Sequence, residues 1–276
     1  MTQYPQEDGI EIIHPELDLG HIRHALFDFD GTISLIREGW QEVMEAMMVE
    51  NLMETPEHEP ESDIKPIVRE FITELTGKQT IYQMIRLCEE IAMRGGQPAD
   101  PLVYKQNYHA RLLDRIQHRL DGLESKQLHP DEMLVPGSLE ILNRLKEKNI
   151  SCYLASGTDE TYVVAEADLL GVTPYFKAVY GALDDYKNFS KRMVIQRIIQ
   201  ENDLKGLELV AFGDGYVEIE DTKGVGGIAV GVATNEDTKI GVNEWKRARL
   251  IRAGADIIIP DFRQVGALLR LLFVEE

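Results

Sequence analysis

The sequence predicts an α/β protein whose parallel-sheet core is interrupted, after its first strand, by an all-α unit. Three observations carry that expectation. Six short apolar runs rich in β-branched residues have the length of buried strands, apolar residues at helical spacing lie between them, and from residue 35 to residue 133 the pattern changes to helix after helix. The expected division is a core of residues 1–34 and 134–276 and a helical insert of residues 35–133.

The first run, HALFDFD (24–30), ends in Asp28 and Asp30 and passes directly into Gly-Thr. In the insert, Trp40, Val43, Met44, Met47 and Met48 form one apolar stripe, and Ile81, Met84, Ile85, Cys88 and Ile91 form another. Both stripes read as packing surfaces of a helical bundle. RGGQPADP (94–101) ends the second stripe with a glycine stop and a proline restart. The acidic, proline-punctuated ETPEHEPESD (54–63) is expected as a solvated loop.

Beyond the insert, a helix over 136–148 leads into ISCYLASG (150–157), followed by AVYGA (178–182) and a helix over 191–202. The runs LELVAFGD (207–214), GIAVGVA (227–233) and ADIIIPD (255–261) complete the set. Strands separated by helices need crossover connections, which implies a parallel sheet covered on both faces. The glycine-rich KGVGGIAVG (223–231) precedes a strand instead of joining a strand to a helix, so it is not read as a dinucleotide loop.

A chain of 276 residues with 43% hydrophobic and 28% charged residues can bury a sizeable core. Its formal net charge of −19 argues against a nucleic-acid or anionic-membrane partner, since both would be repelled. Cys88 and Cys152 do not suggest a disulfide framework. The first nine residues lack a basic region and an apolar stretch, so a cytoplasmic location is expected. Oligomeric state is not legible in the sequence.

In an open parallel sheet, ligands bind outside the carboxyl ends of the strands. Those ends carry Asp28 and Asp30, then Ser156-Gly157-Thr158, then Asp214-Gly215 with Glu218 four residues past Asp214. Carboxylates at Asp28 and Asp214, with a backbone carbonyl near Asp30, supply the hard oxygen ligands that Mg²⁺ prefers. Ser156, neighbouring backbone N–H groups such as that of Gly157, and the Lys191 ammonium suit the oxygens of a phosphoryl group. One aspartate is then available to attack phosphorus while the other moves protons. His21 and His24 have metal-like spacing but lie on the approach to a strand, and His109 and His118 read as ordinary helix residues.

In this order, DFDGT, LASGT, a downstream lysine and FGDGYVEIED resemble the four motifs of the haloacid dehalogenase superfamily of phosphotransferases. The resemblance implies a Rossmann-like core with a C1-type helical cap, and Mg²⁺-dependent hydrolysis of a small phosphorylated metabolite, with a sugar phosphate favoured. It implies Asp28 as the nucleophile that forms an aspartyl-phosphate, Asp30 as general acid and base, and Ser156 as a phosphoryl ligand. It also implies Asp214 as a metal ligand, with Glu218 in the outer shell, where many relatives have aspartate.

The lysine of the third motif is Lys191, behind Ser190 as a helix cap, or Lys187 on a longer lead-in. Arg37 and Trp40 are candidates to face the leaving group, although Trp40 suits the packing of the insert equally. The alternatives are a sugar phosphomutase of the same superfamily and, from another class, a non-catalytic Mg²⁺-binding phosphoacceptor domain. A dehalogenase is disfavoured, because it has no need of an acid at Asp30.

Overall fold

The computed structural model describes residues 9–183 and 190–274. Its seven-stranded sheet has the order β1-β7-β6-β5-β2-β3-β4. Six strands are the six apolar runs: β2 (His24–Phe27), β3 (Ser151–Asp159), β4 (Phe176–Ala182), β5 (Leu209–Gly213), β6 (Ile228–Val232) and β7 (Ile257–Ile259). All neighbouring pairs among them are parallel. The seventh, β1 (Glu11–Ile12), pairs antiparallel with β7 at the sheet edge. With two residues it is too short to leave a periodic signal in the sequence.

Strand β2 lies between β5 and β3, so the chain builds outward on one side before crossing to the other. The carboxyl end of β2 is therefore the topological switch point, where a doubly wound sheet opens a crevice. Register keeps the strand ends level: Phe27 stands beside both Leu154 and Phe212. The Phe27 and Phe212 rings stack at 4.7 Å, and Phe262 closes on Phe212 edge-on. Burying each such side chain contributes about 1.5–3 kcal/mol.

The insert is four helices, α1 (Trp40–Met53), α2 (Glu61–Leu75), α3 (Thr80–Met93) and α4 (Pro101–Glu124). Met44, Met47 and Met48 are fully buried on α1, and Ile81, Met84 and Ile91 are buried on α3, which is the packing role expected of both stripes. Gly95 stops α3 with a φ of +70°, and α4 restarts at Pro101 with the Asp100 carboxylate accepting from Leu102 N at 2.8 Å. The segment expected as a loop over 54–63 ends sooner, because Glu61 and Asp63 lie in the first turn of α2, where acidic side chains favour the positive helix end. Thr55, within the same segment, is buried.

The chain enters and leaves the insert side by side. Ser34 bridges Leu134, and Leu35 N and Val135 N donate to Met133 O and Ile33 O. A single apolar cluster then runs from Phe27 and Phe212 through Ile33 and Ile36 into the insert.

The remaining helices are α5 (Ser138–Glu147), α6 (Glu160–Leu169), α7 (Lys191–Glu201), α8 (Tyr216–Gly224), α9 (Glu244–Arg252) and α10 (Val265–Phe273). No helix among the described residues is long and apolar enough to cross a membrane. Cys88 and Cys152 are both free thiols.

Candidate active site

Asp28 follows β2 directly. Its backbone N–H donates to Phe212 O at 2.9 Å, which extends the β2–β5 pairing by one residue and turns the carboxylate toward the end of β5. Phe29 N donates to Asp28 Oδ1 at 2.8 Å. Lys191, the first residue of α7, reaches the same oxygen with Nζ at 2.7 Å and Glu218 Oε2 at 3.0 Å. Ser190 caps α7 as expected, its hydroxyl accepting from Met193 N at 3.2 Å. Lys187 lies outside the described residues.

Glu218, expected in the outer shell, lies with its carboxylate within reach of Asp28 and Asp214. Its Oε1 accepts from Gly215 N at 2.7 Å, and its side chain folds over Gly213 and Gly215, where a Cβ would collide with it. Two glycines and one additional methylene thus bring this carboxylate into the cluster. Among the described residues, Asp28, Asp214 and Glu218 form the one group of three acidic, histidine or cysteine side chains spaced to hold a metal, with ligand oxygens within 4.8 Å of one another. Asp30 contributes no side chain to that group.

Burial pushes the Asp28 carboxyl well above its ordinary pKa, Glu218 and Asp214 add to the shift, and Lys191 opposes it. Burial also works against the Lys191 ammonium, but Asp28 and Glu218 outweigh it and raise that pKa. For Glu218, burial is outweighed by the Lys191 charge, and its pKa is lowered.

Asp30 faces the other way. Thr158 Oγ1 donates to its Oδ2 at 2.8 Å and Ser156 Oγ donates to the same atom at 3.2 Å, while Ser156 Oγ accepts from Thr158 N at 3.0 Å. Asp30 Oδ1 is buried without a hydrogen-bond partner among the described residues, with Arg37 Nε 3.9 Å away. The hydrogen bonds of Arg37 go to Glu166 of α6, which it grips through Nε at 3.0 Å and Nη2 at 2.6 Å, both side chains being buried. Burial raises the Glu166 pKa and Arg37 resists that shift. Arg37 and Trp40 both line the cavity over Asp28, as their candidacy for leaving-group contact requires.

The turn between α2 and α3 forms the opposite wall. A Cβ on Gly157 would lie 2.7 Å from Lys78 O, and one on Gly77 would lie 3.5 Å from Gly215 Cα. The glycines let the insert rest on the strand ends. The cavity between them opens to solvent and has a volume of about 90 Å³.

Sequence reasoning missed two residues here. Lys246 Nζ lies 2.6 Å from Asp214 Oδ2 and also binds Glu236. Nothing in NEWKRARL marks one of its cations as buried, because pairing across 32 residues is set by the fold. His109 and His118 both lie on α4, as expected; His109 is buried against Asp159, with Tyr162 edge-on to its ring, whereas His118 is exposed. His21 binds Asp18 at the surface and His24 is buried in β2, so the two do not form a site.

A family model described as haloacid dehalogenase-like hydrolase matches residues 22–223. No curated protein matches the sequence. Among solved structures, one named a predicted phosphoglycolate phosphatase from Haemophilus somnus 129pt is 14% identical over 90% of this chain and 98% of that one, with a TM-score of 0.59. CbbY from Rhodobacter sphaeroides, in complex with phosphate, is 19% identical over 89% and 96%, with a TM-score of 0.54. A beta-phosphoglucomutase from Clostridium difficile is 13% identical over 84% and 98%, also with a TM-score of 0.54. At these identities the likeness is one of fold.

Proposed function

The chain belongs to the haloacid dehalogenase-like hydrolase family, and from that premise we propose that it is a Mg²⁺-dependent phosphomonoester hydrolase. Its substrate is a small phosphorylated metabolite, with a sugar phosphate favoured, and residues 35–133 act as its cap. The observation that carries the reading is the inequivalence of two carboxylates on one strand end: Asp28 sits among charges, and Asp30 is held by two hydroxyls at one oxygen while the other is buried without a hydrogen bond among the described residues.

The donor set fits a divalent cation. Among the described residues, Asp28, Asp214, Glu218 and Glu236 pair with two ammonium groups, Lys191 and Lys246, which leaves the cluster with two formal negative charges in excess. All of its donors are the hard oxygens that Mg²⁺ prefers. Asp28 and Asp214, with the backbone carbonyl of Asp30, would hold the ion; Glu218 orients Lys191. When bound, the ion neutralises phosphoryl oxygens and offsets the repulsion between carboxylates.

In the first step an Asp28 oxygen bonds to phosphorus, the bond from phosphorus to the ester oxygen breaks, and Asp30 gives that oxygen its proton. In the second step Asp30 takes a proton from water, the water oxygen bonds to phosphorus, and the Asp28 acyl phosphate breaks to return the carboxylate and free phosphate. Ser156, the Gly157 N–H and Lys191 bind the remaining phosphoryl oxygens. A recessed cleft lined by both the strand ends and the insert favours a metabolite over a folded phosphoprotein, and the structural relatives named for phosphoglycolate and phosphoglucose chemistry suggest the same class.

The test is phosphate release from a panel of phosphorylated sugars, nucleotides and small acids. Release should require Mg²⁺, stop with a chelator and be poorly supported by Ca²⁺, which prefers more ligands and looser geometry. Full activity in metal-free buffer would overturn the metal assignment. Isomerisation of a sugar phosphate without phosphate release would identify a phosphomutase instead.

A further inference from the structure

Lys246 is a buried ammonium in the catalytic cavity that the chemistry above does not use. It also belongs to a segment beyond the family match, which ends at residue 223. We propose that Lys246, fixed in place by Glu236, is a positioning residue for Asp214, presenting that carboxylate in a single orientation to the divalent cation. The inference rests on the reading above in which Asp28 and Asp214, with the Asp30 carbonyl, hold the metal.

Both members of the pair come from one stretch of chain. Glu236 lies on the connection leaving β6, where Thr234 Oγ1 donates to Pro260 O at 2.7 Å. Lys246 lies in the first turn of α9, and Asn243 Oδ1 accepts from its backbone N–H at 3.1 Å. Asn243 N in turn donates to Ala233 O at 2.8 Å. The base of the lysine and the base of its partner are therefore tied to the same sheet edge, and the ammonium between them has little freedom.

Asp214 needs such a restraint. Among the described residues Lys246 is the sole hydrogen-bond partner of its carboxylate, whose terminal torsion is intrinsically soft. Gly31, immediately after Asp30, packs so closely that a Cβ there would strike Asp214 and come within 3.1 Å of Glu236 Oε1. Charge decides between positioning and simple neutralisation. A lysine that only neutralised Asp214 would not need a second buried carboxylate, which is costly to desolvate. Two carboxylates around one ammonium keep a net negative charge, so Asp214 is oriented while its attraction for a cation survives.

The test is calorimetric titration of the full-length protein with Mg²⁺ in the absence of substrate, comparing wild type, Asp214→Asn, Lys246→Met and the double variant Lys246→Met with Glu236→Gln. The double variant removes one charge of each sign, so the net charge around Asp214 is unchanged while its hydrogen-bond partner is lost. It should bind Mg²⁺ about 10–100-fold more weakly than wild type, the scale for losing the partner of a metal ligand. Lys246→Met alone should also bind more weakly, although removing a cation would tighten binding if charge alone mattered. Turnover by either variant should be lost at low Mg²⁺ and return as Mg²⁺ is raised. Unchanged affinity in the double variant, or tighter binding by Lys246→Met, overturns the positioning role. Absence of Mg²⁺ binding by wild type, or normal binding by Asp214→Asn, overturns the metal site itself and the inference with it.

Discussion

The two flanks of the β2 strand end are built from different materials. On the β5 side, Asp28 meets Lys191, Glu218 and Asp214, and every side chain in contact with it carries a formal charge. On the β3 side, Asp30 meets the hydroxyls of Thr158 and Ser156, and the nearest cation is already bound to Glu166. Two aspartates separated by one residue therefore occupy environments suited to different tasks. In the proposed reading Lys191 favours the ionised, nucleophilic form of Asp28 against the burial that raises its pKa, and Asp30, held by hydroxyls, exchanges protons.

The largest test of that contrast is Asp28→Asn, which should abolish turnover, since an amide is a poor nucleophile. A phosphate-release assay retaining near-normal rates would remove the distinction between the flanks.

Next comes the support of the β3 side. Glu166→Ala strips a buried guanidinium of its bidentate partner and should destabilise the fold by about 3–5 kcal/mol, measured by denaturant unfolding. A loss below about 1 kcal/mol would mean that Arg37 finds another partner, with Asp30 the nearest carboxylate.

Asp30→Asn should slow turnover by roughly a hundredfold, about 2.7 kcal/mol, as expected for loss of general acid–base catalysis. The loss should be smaller with an ester whose leaving group needs no proton. Equal losses on both esters would assign Asp30 a role other than acid.

Gly157→Ala tests how the insert rests on this flank. The new Cβ must displace the Lys78 carbonyl, and kcat/KM on a metabolite-sized substrate should fall about tenfold. A small artificial phosphate ester should lose less. Equal loss on both would mean that the insert does not select the substrate.

The smallest effect belongs to an ion pair remote from both flanks. Arg247 grips Glu11 through two contacts of 2.6 Å and holds its carboxyl below the ordinary value of 4.5. Because the folded-state pKa is depressed, this stabilisation is present above about pH 4.5 and fades as the pH falls through the lower folded-state value. The pair is largely solvated, so Glu11→Gln should cost only about 0.5 kcal/mol at neutral pH and leave turnover unchanged. The difference from wild type should shrink in acid, as followed by thermal unfolding across pH.

What could be read from the sequence follows the same physical division. The strands were legible because burial on both faces leaves continuous apolar runs, and the residues that close them were legible because chain order alone places Asp28, Ser156 and Asp214 at one edge. The hold of Lys246 on Asp214 and of Arg37 on Glu166 was not legible, since a charge pair separated by 129 residues has no local pattern. Glu218 falls between these cases. Its position was evident, but its approach to Asp28 depends on the missing side chains of Gly213 and Gly215.

The most direct measurement of the central claim is the chemical state of Asp28 during turnover. Rapid acid quench of the protein with Mg²⁺ and its best substrate, followed by peptide mass analysis, should find one acyl phosphate on the peptide carrying Asp28. The same peptide from Asp28→Asn should carry none. Steady phosphate release with no covalent label, or a label on any other residue, would contradict the account.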